Sequence, residues 1–182
     1  LKGCNTDSSG FLRSLEEQGF NPQGKRAVIL GAGGAARAVA FALADAGCAC
    51  LTIANRNLER AEALAASLTI YGTSSEVCSL RSAGLASKLA GVELVVNAAS
   101  IGMWPHLETM PLSAEWLRAG QWVYDLVYNP RDTKLLQAAR QRGCRTLSGL
   151  SMLLYQGAEA FTLWTGETPP LAAMRQALME GK

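Results

Sequence analysis

Apolar residues are distributed along the chain in two alternating patterns. Short, nearly continuous apolar runs at residues 27–30, 50–54, 92–98 and 122–128 read as buried strands, and Arg145-Thr146-Leu147 reads as a last short one. Between them, apolar positions recur every three or four residues, as on one side of a helix. Phe11, Leu12 and Leu15 form one such side, and Ala35, Ala38, Val39, Ala42, Leu43 and Ala46 a second. Leu58, Ala61, Leu64, Ala65 and Leu68 form a third, and Leu135, Leu136 and Ala139 a fourth. Gly19, Gly47 and Gly143 stand where glycine ends a helix. Residues 150–164 read as a further helix, and Pro169-Pro170 opens a last one with Leu171, Met174 and Leu178 inward. Residues 71–75 fit a short strand or a loop, and residues 80–90 include a short helix. Residues 104–117, with their prolines and tryptophan, are expected to cover a sheet edge. This alternation predicts an α/β fold: a doubly wound, mostly parallel sheet with C-terminal helices.

The run at 27–30 carries the first chemical signal. It feeds Gly31-Ala32-Gly33-Gly34-Ala35-Ala36, which opens the alanine-rich helix. Strand, glycine turn and helix in this order make a Rossmann-like dinucleotide fingerprint, G-x-G-x-x-[GA]. Gly31 permits the tight turn, Gly33 lets a pyrophosphate approach the backbone, and Ala36 allows close helix–strand packing. The N–H groups of Gly34 and Ala35, with Ala32, face the phosphates. The second strand ends at Asn55-Arg56, with Arg60 one helical turn on and no acid at the strand end. An acid there would hold a ribose 2′-hydroxyl and repel a 2′-phosphate, whereas arginine attracts the phosphate. NADP is therefore favoured over NAD. Asn97 and Ala98 close the strand at 92–98, at the carboxyl end where ligands of open α/β sheets bind.

Composition limits the alternatives. A net charge of +2 over 182 residues gives no basis for nucleic acid or an anionic membrane as partner. The apolar stretch at 27–47 carries Arg37, Asp45 and several glycines and is not a membrane span. Five cysteines with no C-x-x-C pair and a single histidine make a poor metal site and fit reduced thiols in a cytoplasmic protein. No signal peptide is visible, and a chain beginning with Leu1 is expected to be part of a longer one. Before the fingerprint, Asn5-Thr6-Asp7 precedes the first helix, with Asp7 placed either as its N-cap or as a catalytic carboxylate.

Taken together, these segments resemble the C-terminal part of the shikimate dehydrogenase family. The resemblance rests on Gly3-Cys4-Asn5-Thr6-Asp7-Ser8-Ser9-Gly10-Phe11, the glycine turn, Asn55-Arg56 with Arg60, and Asn97-Ala98-Ala99-Ser100-Ile101-Gly102-Met103. It extends to Asp125-Leu126-Val127-Tyr128-Asn129-Pro130 and Gly149-Leu150-Ser151-Met152-Leu153 with Gln156. It covers nearly the whole chain, and the order and spacing of the pieces make it specific. It implies NADP-dependent reduction of 3-dehydroshikimate to shikimate, on the way to the aromatic amino acids. Asp7 would be the carboxylate of a Lys–Asp pair, with Asn5 and Thr6 near the substrate. Gln156 would hydrogen-bond a substrate hydroxyl and Tyr128 reach the substrate from the cofactor side. Val127, Gly149 and Met152 would flank the nicotinamide, and Asn55, Arg56 and Arg60 would clamp the 2′-phosphate. From the residues alone, Met152 and Gln156 are four apart and share a helical side.

The resemblance implies three parts: a hinge segment and linking helix at 1–20, a dinucleotide-binding domain at 21–148, and closing helices at 149–182. The family's catalytic lysine and carboxylate-binding serines belong to an N-terminal substrate domain that these residues do not contain. Lys2 is too close in sequence to Asp7 to replace that lysine. Asn57 and Ala99 stand where the family often has threonine. The chain alone is thus expected to bind NADP(H) without turning over shikimate, as a monomer or homodimer. The alternatives are a quinate/shikimate enzyme using NAD, a non-catalytic NADP-binding module, and an unrelated Rossmann domain.

Overall fold

The computed structural model describes residues 3–82 and 84–180. The expectation for Lys2 lies outside the described residues. Six strands form one sheet: β1 (Arg26–Leu30), β2 (Cys50–Asn55), β3 (Ser74–Ser79), β4 (Leu94–Asn97), β5 (Trp122–Asp125) and β6 (Arg145–Ser148). Their order is β3-β2-β1-β4-β5-β6, and every pairing is parallel. The direction of winding reverses between β1 and β4, which opens a crevice at their carboxyl ends.

Each inner strand sends alternate residues to opposite faces, so both must be covered. Ala27, Ile29, Leu51, Ile53, Leu94 and Val96 meet α1 (Asp7–Glu17), α2 (Gly34–Asp45), α3 (Leu58–Ser67) and α6 (Gly149–Thr165). Val28, Leu30, Val95 and Val123 meet α4 (Gly84–Leu89), α5 (Lys134–Gln141), and the side chains of Leu112 and Leu117. A fully buried leucine or isoleucine contributes about 1.5–3 kcal/mol. A last helix, α7 (Leu171–Glu180), rests on α6 and buries no residue fully. No helix among the described residues is long and apolar enough to cross a membrane.

Four expectations need correction. Helix α2 is buried on a wider arc than its periodicity suggests, taking in Ala36, Ala40 and Ala44, because α1 packs on it from outside the sheet. Alanine permits that double contact. Leu58 is 44% exposed, since it opens α3 beyond the sheet's edge of cover. Asp7 is the first residue of α1 rather than its cap; Asn5 Oδ1 accepts the Asp7 N–H at 2.8 Å. Residues 104–117 cover a face, not an edge: Leu112 and Leu117 plug the place a crossover helix would take between β4 and β5. The edge strand β3 begins at Ser74, after a 3₁₀ turn at Thr69–Tyr71.

Candidate active site

Two hollows open along the carboxyl ends of the strands. The first, about 340 Å³, lies between the starts of α2 and α3, and Gly33, Gly34, Arg37 and Arg60 line it. Gly31 makes the turn into it with φ +119, and a Cβ there would sit 3.1 Å from the Ala98 carbonyl, so the loops after β1 and β4 touch. No side chain caps α2, and nothing lies within 4 Å of where a Cβ would be at Gly33 or Gly34. The first-turn N–H groups therefore face open space, as an anion site requires. Arg56 and Arg60 are exposed, and among the described residues neither has an acidic partner. Asn55 Nδ2 donates to the Asn57 carbonyl at 2.9 Å, and Asn57 Oδ1 caps α3 by accepting the Arg60 N–H at 3.0 Å. Arg37 is a cation that the sequence reading passed over. It projects from the first turn of α2, its guanidinium 4.9 Å from the centre of the Phe41 ring. Its signal was its place inside the glycine motif on the polar side of the helix.

The second hollow, about 200 Å³, is lined by Asp7, Ala35, Tyr128, Gly149, Met152 and Gln156 among others. All six are sequence-predicted, and they come from opposite ends of the chain. Two glycines bring them together. A Cβ on Gly10 would lie 2.6 Å from the backbone nitrogen of Gln156, so α1 crosses α6 at backbone contact. A Cβ on Gly149 would overlap the Leu126 carbonyl oxygen, so α6 starts against the loop after β5. Thr6 Oγ1 donates to Gln156 Oε1 at 3.4 Å, and Ser9 pairs with Glu159 one turn further on. Tyr128 is half exposed, whereas Val127 and Met152 are buried. Asn5 stands outside this lining, at the entry to α1.

Asn97 occupies a different place from the one expected. Its side chain is fully buried beneath the loops, where Nδ2 donates to Asp125 Oδ1 at 2.8 Å and to the Ile101 carbonyl at 3.2 Å. Asp125 also accepts from the Val127 N–H at 3.1 Å and from Thr133 Oγ1 at 2.6 Å. Burial pushes the Asp125 carboxyl upward, opposed by its hydrogen bonds from Thr133, Val127 and Asn97.

A larger hollow of about 640 Å³, with Trp116, Arg118 and Arg142, lies at the amino ends of β5 and β6, away from the crevice. Among the described residues each lysine is paired elsewhere: Lys25 with Glu93 at 4.0 Å, Lys88 with Glu76 at 2.5 Å and Lys134 with Glu108 at 3.0 Å. None stands beside Asp7.

Comparison with known proteins decides the family. Residues 14–104 match the model of the family described as Shikimate / quinate 5-dehydrogenase, and residues 149–179 match the Shikimate 5′-dehydrogenase C-terminal domain. The chain belongs to the shikimate/quinate 5-dehydrogenase family. A shikimate dehydrogenase (NADP(+)) of Moorella thermoacetica is 62% identical to this family member over 99% of the chain and 61% of the relative. The structure of shikimate 5-dehydrogenase from Listeria monocytogenes in complex with shikimate and NAD superposes with a TM-score of 0.92. It is 35% identical, over 97% of this chain and 63% of that one. Quinate dehydrogenase from Corynebacterium glutamicum in complex with NAD gives 0.89 at 38% identity, over 97% and 62%. The family member thus spans a little over three-fifths of the length of these relatives.

Proposed function

We propose that the chain binds NADP(H) across the crevice and forms the cofactor half of an enzyme that reduces 3-dehydroshikimate to shikimate. The observation that carries this reading is the pairing of two hollows of different character at one switch point. One offers open helix N–H groups and arginines that, among the described residues, have no acidic partner; the other offers a carboxylate, an amide and a phenol around a half-apolar floor. Gly31, Ala32, Gly33, Gly34 and Ala35 hold the pyrophosphate, and Asn55, Arg56 and Arg60 hold the 2′-phosphate, with Arg37 adding charge from the facing helix. Ala98 borders the cofactor on the β4 side, and Val127, Gly149 and Met152 form the floor under the nicotinamide.

The nicotinamide, when bound, supplies the hydride. The chain's own groups orient the ketone and manage its proton. Gln156 and Tyr128 hydrogen-bond substrate hydroxyls, and Asp7, with Asn5 and Thr6 at the same helix entry, orients a proton donor toward the developing alkoxide. That donor is a lysine from the part of the relatives this chain does not span. Residues 1–20 then serve as the link to that part, residues 21–148 as the dinucleotide domain, and residues 149–182 as the helices closing the crevice. The free cysteines suit a reducing cytoplasm.

NAD in two of the related structures favours a second reading, a quinate/shikimate enzyme using NAD. The absence of an acid at the end of β2 weighs against it. Fluorescence titration with NADPH and NADH separates the two. Tighter binding of NADPH supports the proposal. Preference for NADH supports the second reading, and no binding of either overturns both.

A further inference from the structure

We infer that Asp125, with Asn97 and Thr133, is a positioning group for the nicotinamide end of the crevice alone, acting through the backbone at residues 126–128. The inference rests on the cofactor reading above and adds residues that touch no ligand themselves.

The three side chains are all but completely buried, and each comes from a different element. Asn97 ends β4, Asp125 ends β5 and Thr133 caps α5, where its hydroxyl oxygen accepts the Leu136 N–H at 3.3 Å. An ionised carboxylate accepts only, and the donors meeting Asp125 are an amide, a backbone N–H and a hydroxyl. Charge-assisted bonds of this kind are about twice as strong as neutral ones. The network therefore joins the loop after β4, through Ile101, to the loop after β5, through Val127.

The segment it holds is clamped from the other side too. The Gly149 N–H donates to the Val127 carbonyl at 3.4 Å, and Gly149 presses on the Leu126 carbonyl. Leu126 and Tyr128 line the smaller hollow, with Val127 between them in sequence. The lining of the phosphate hollow comes from the β1–α2 turn and α3, none of it from residues 97–133, and the loop after β4 borders that turn through the contact of Ala98 with Gly31. Weakening the network should shift one end of the ligand's seat and leave the other in place.

The test compares two ligands on the purified protein. NADP+ spans both ends; 2′-phospho-ADP-ribose has the same phosphates and adenosine but no nicotinamide. Thr133→Val removes the hydroxyl with little change of shape. It should weaken NADP+ about tenfold, since small displacements of a positioned group have large effects. It should leave 2′-phospho-ADP-ribose within about twofold, and Thr133→Ser should restore NADP+ binding. If Thr133→Val does not fold, Asp125→Asn, which keeps Oδ1 and the volume, should show the same selectivity at about threefold. Equal weakening of both ligands, or unchanged NADP+ binding, overturns the inference. A wild-type protein that binds neither ligand overturns the cofactor reading, and the inference with it.

Discussion

The proposed phosphate end and the proposed substrate end of the crevice are built by different means. At the phosphate end the groups lie on one contiguous stretch, the glycine turn, joined by arginines one strand and one helix later. Space is open around Gly33 and Gly34, where a Cβ would meet nothing within 4 Å, and no side chain caps the helix they begin. At the substrate end, Asp7 and Gln156 lie 149 positions apart in sequence (156 − 7), and helix crossing at backbone distance brings them to one hollow. The first design tolerates change in packing but not in charge. The second has the opposite sensitivity, because its geometry is packing.

The largest expected effect exploits that contrast. Gly149→Ala would drive a methyl into the Leu126 carbonyl, a backbone atom that cannot step aside. The expected loss is about 4 kcal/mol or more, or failure to fold, read by denaturant titration. Gly33→Ala meets no neighbour within 4 Å and has φ −90. Its stability should change by less than about 1 kcal/mol while NADPH affinity falls, because the new methyl occupies the phosphate's approach. Similar stability losses for the two variants would remove the distinction between the ends.

Next in size, under the proposed function, is Asp7→Asn, which keeps the shape of the α1 entry and removes the charge, tested in the chain together with the part that its relatives carry beyond it. Turnover should fall by up to about 10²–10⁴, the usual worth of the acid–base step that Asp7 would serve by orienting its donor. NADPH affinity should fall far less than turnover, because Asp7 takes no part in lining the phosphate hollow. A parallel loss of NADPH binding would mean that the two ends are not independent.

Arg56→Glu probes the other end. Replacing attraction by repulsion at the 2′-phosphate should lower the preference for NADPH over NADH by about 10- to 100-fold, as charge-assisted bonds of about 1.5–3 kcal/mol allow. Thermal stability should not move, since Arg56 is exposed and, among the described residues, has no ion-pair partner. An unchanged preference would leave Arg37 and Arg60, which line the hollow itself, as the discriminating cations.

The same contrast explains what could be read in the sequence. Strand runs, glycine stops and the fingerprint are local, so β1, β2, α2 and the phosphate end were legible from short windows. Edge strand β3 was not: Ser74 to Ser79 includes three serines and a glutamate, and its pairing with β2 supplies what its composition lacks. The covering role of residues 104–117 was missed because Leu112 and Leu117 act as isolated plugs with no period. For the substrate end, the helical spacing of Met152 and Gln156 was readable. Their meeting with Asp7 depends on Gly10, a residue whose requirement exists only in the folded crossing. Asn97 shows the converse. Its position at a strand end suggested ligand contact, yet burial and Asp125 turn it inward.

An effect on stability alone lies at the opposite pole of the sheet and serves as a control on both ends. Cys48 is buried before β2, its thiol donating to the Lys25 carbonyl at 3.0 Å. Burial pushes that thiol up to about 11 from an ordinary value of 9.0. The folded state therefore keeps the proton that the unfolded chain gives up first. The contribution is complete below pH 9 and is lost as pH rises toward about 11. At about 1.4 kcal/mol per unit, stability should fall by about 2–3 kcal/mol over that window from this group alone. Subtracting the profile of Cys48→Ala isolates it from the tyrosines and lysines that titrate nearby. NADPH affinity, measured where both proteins remain folded, should not follow the same curve, because neither hollow touches the strand's amino end. A difference profile flat between pH 9 and 11 would mean that the Cys48 thiol is in contact with water.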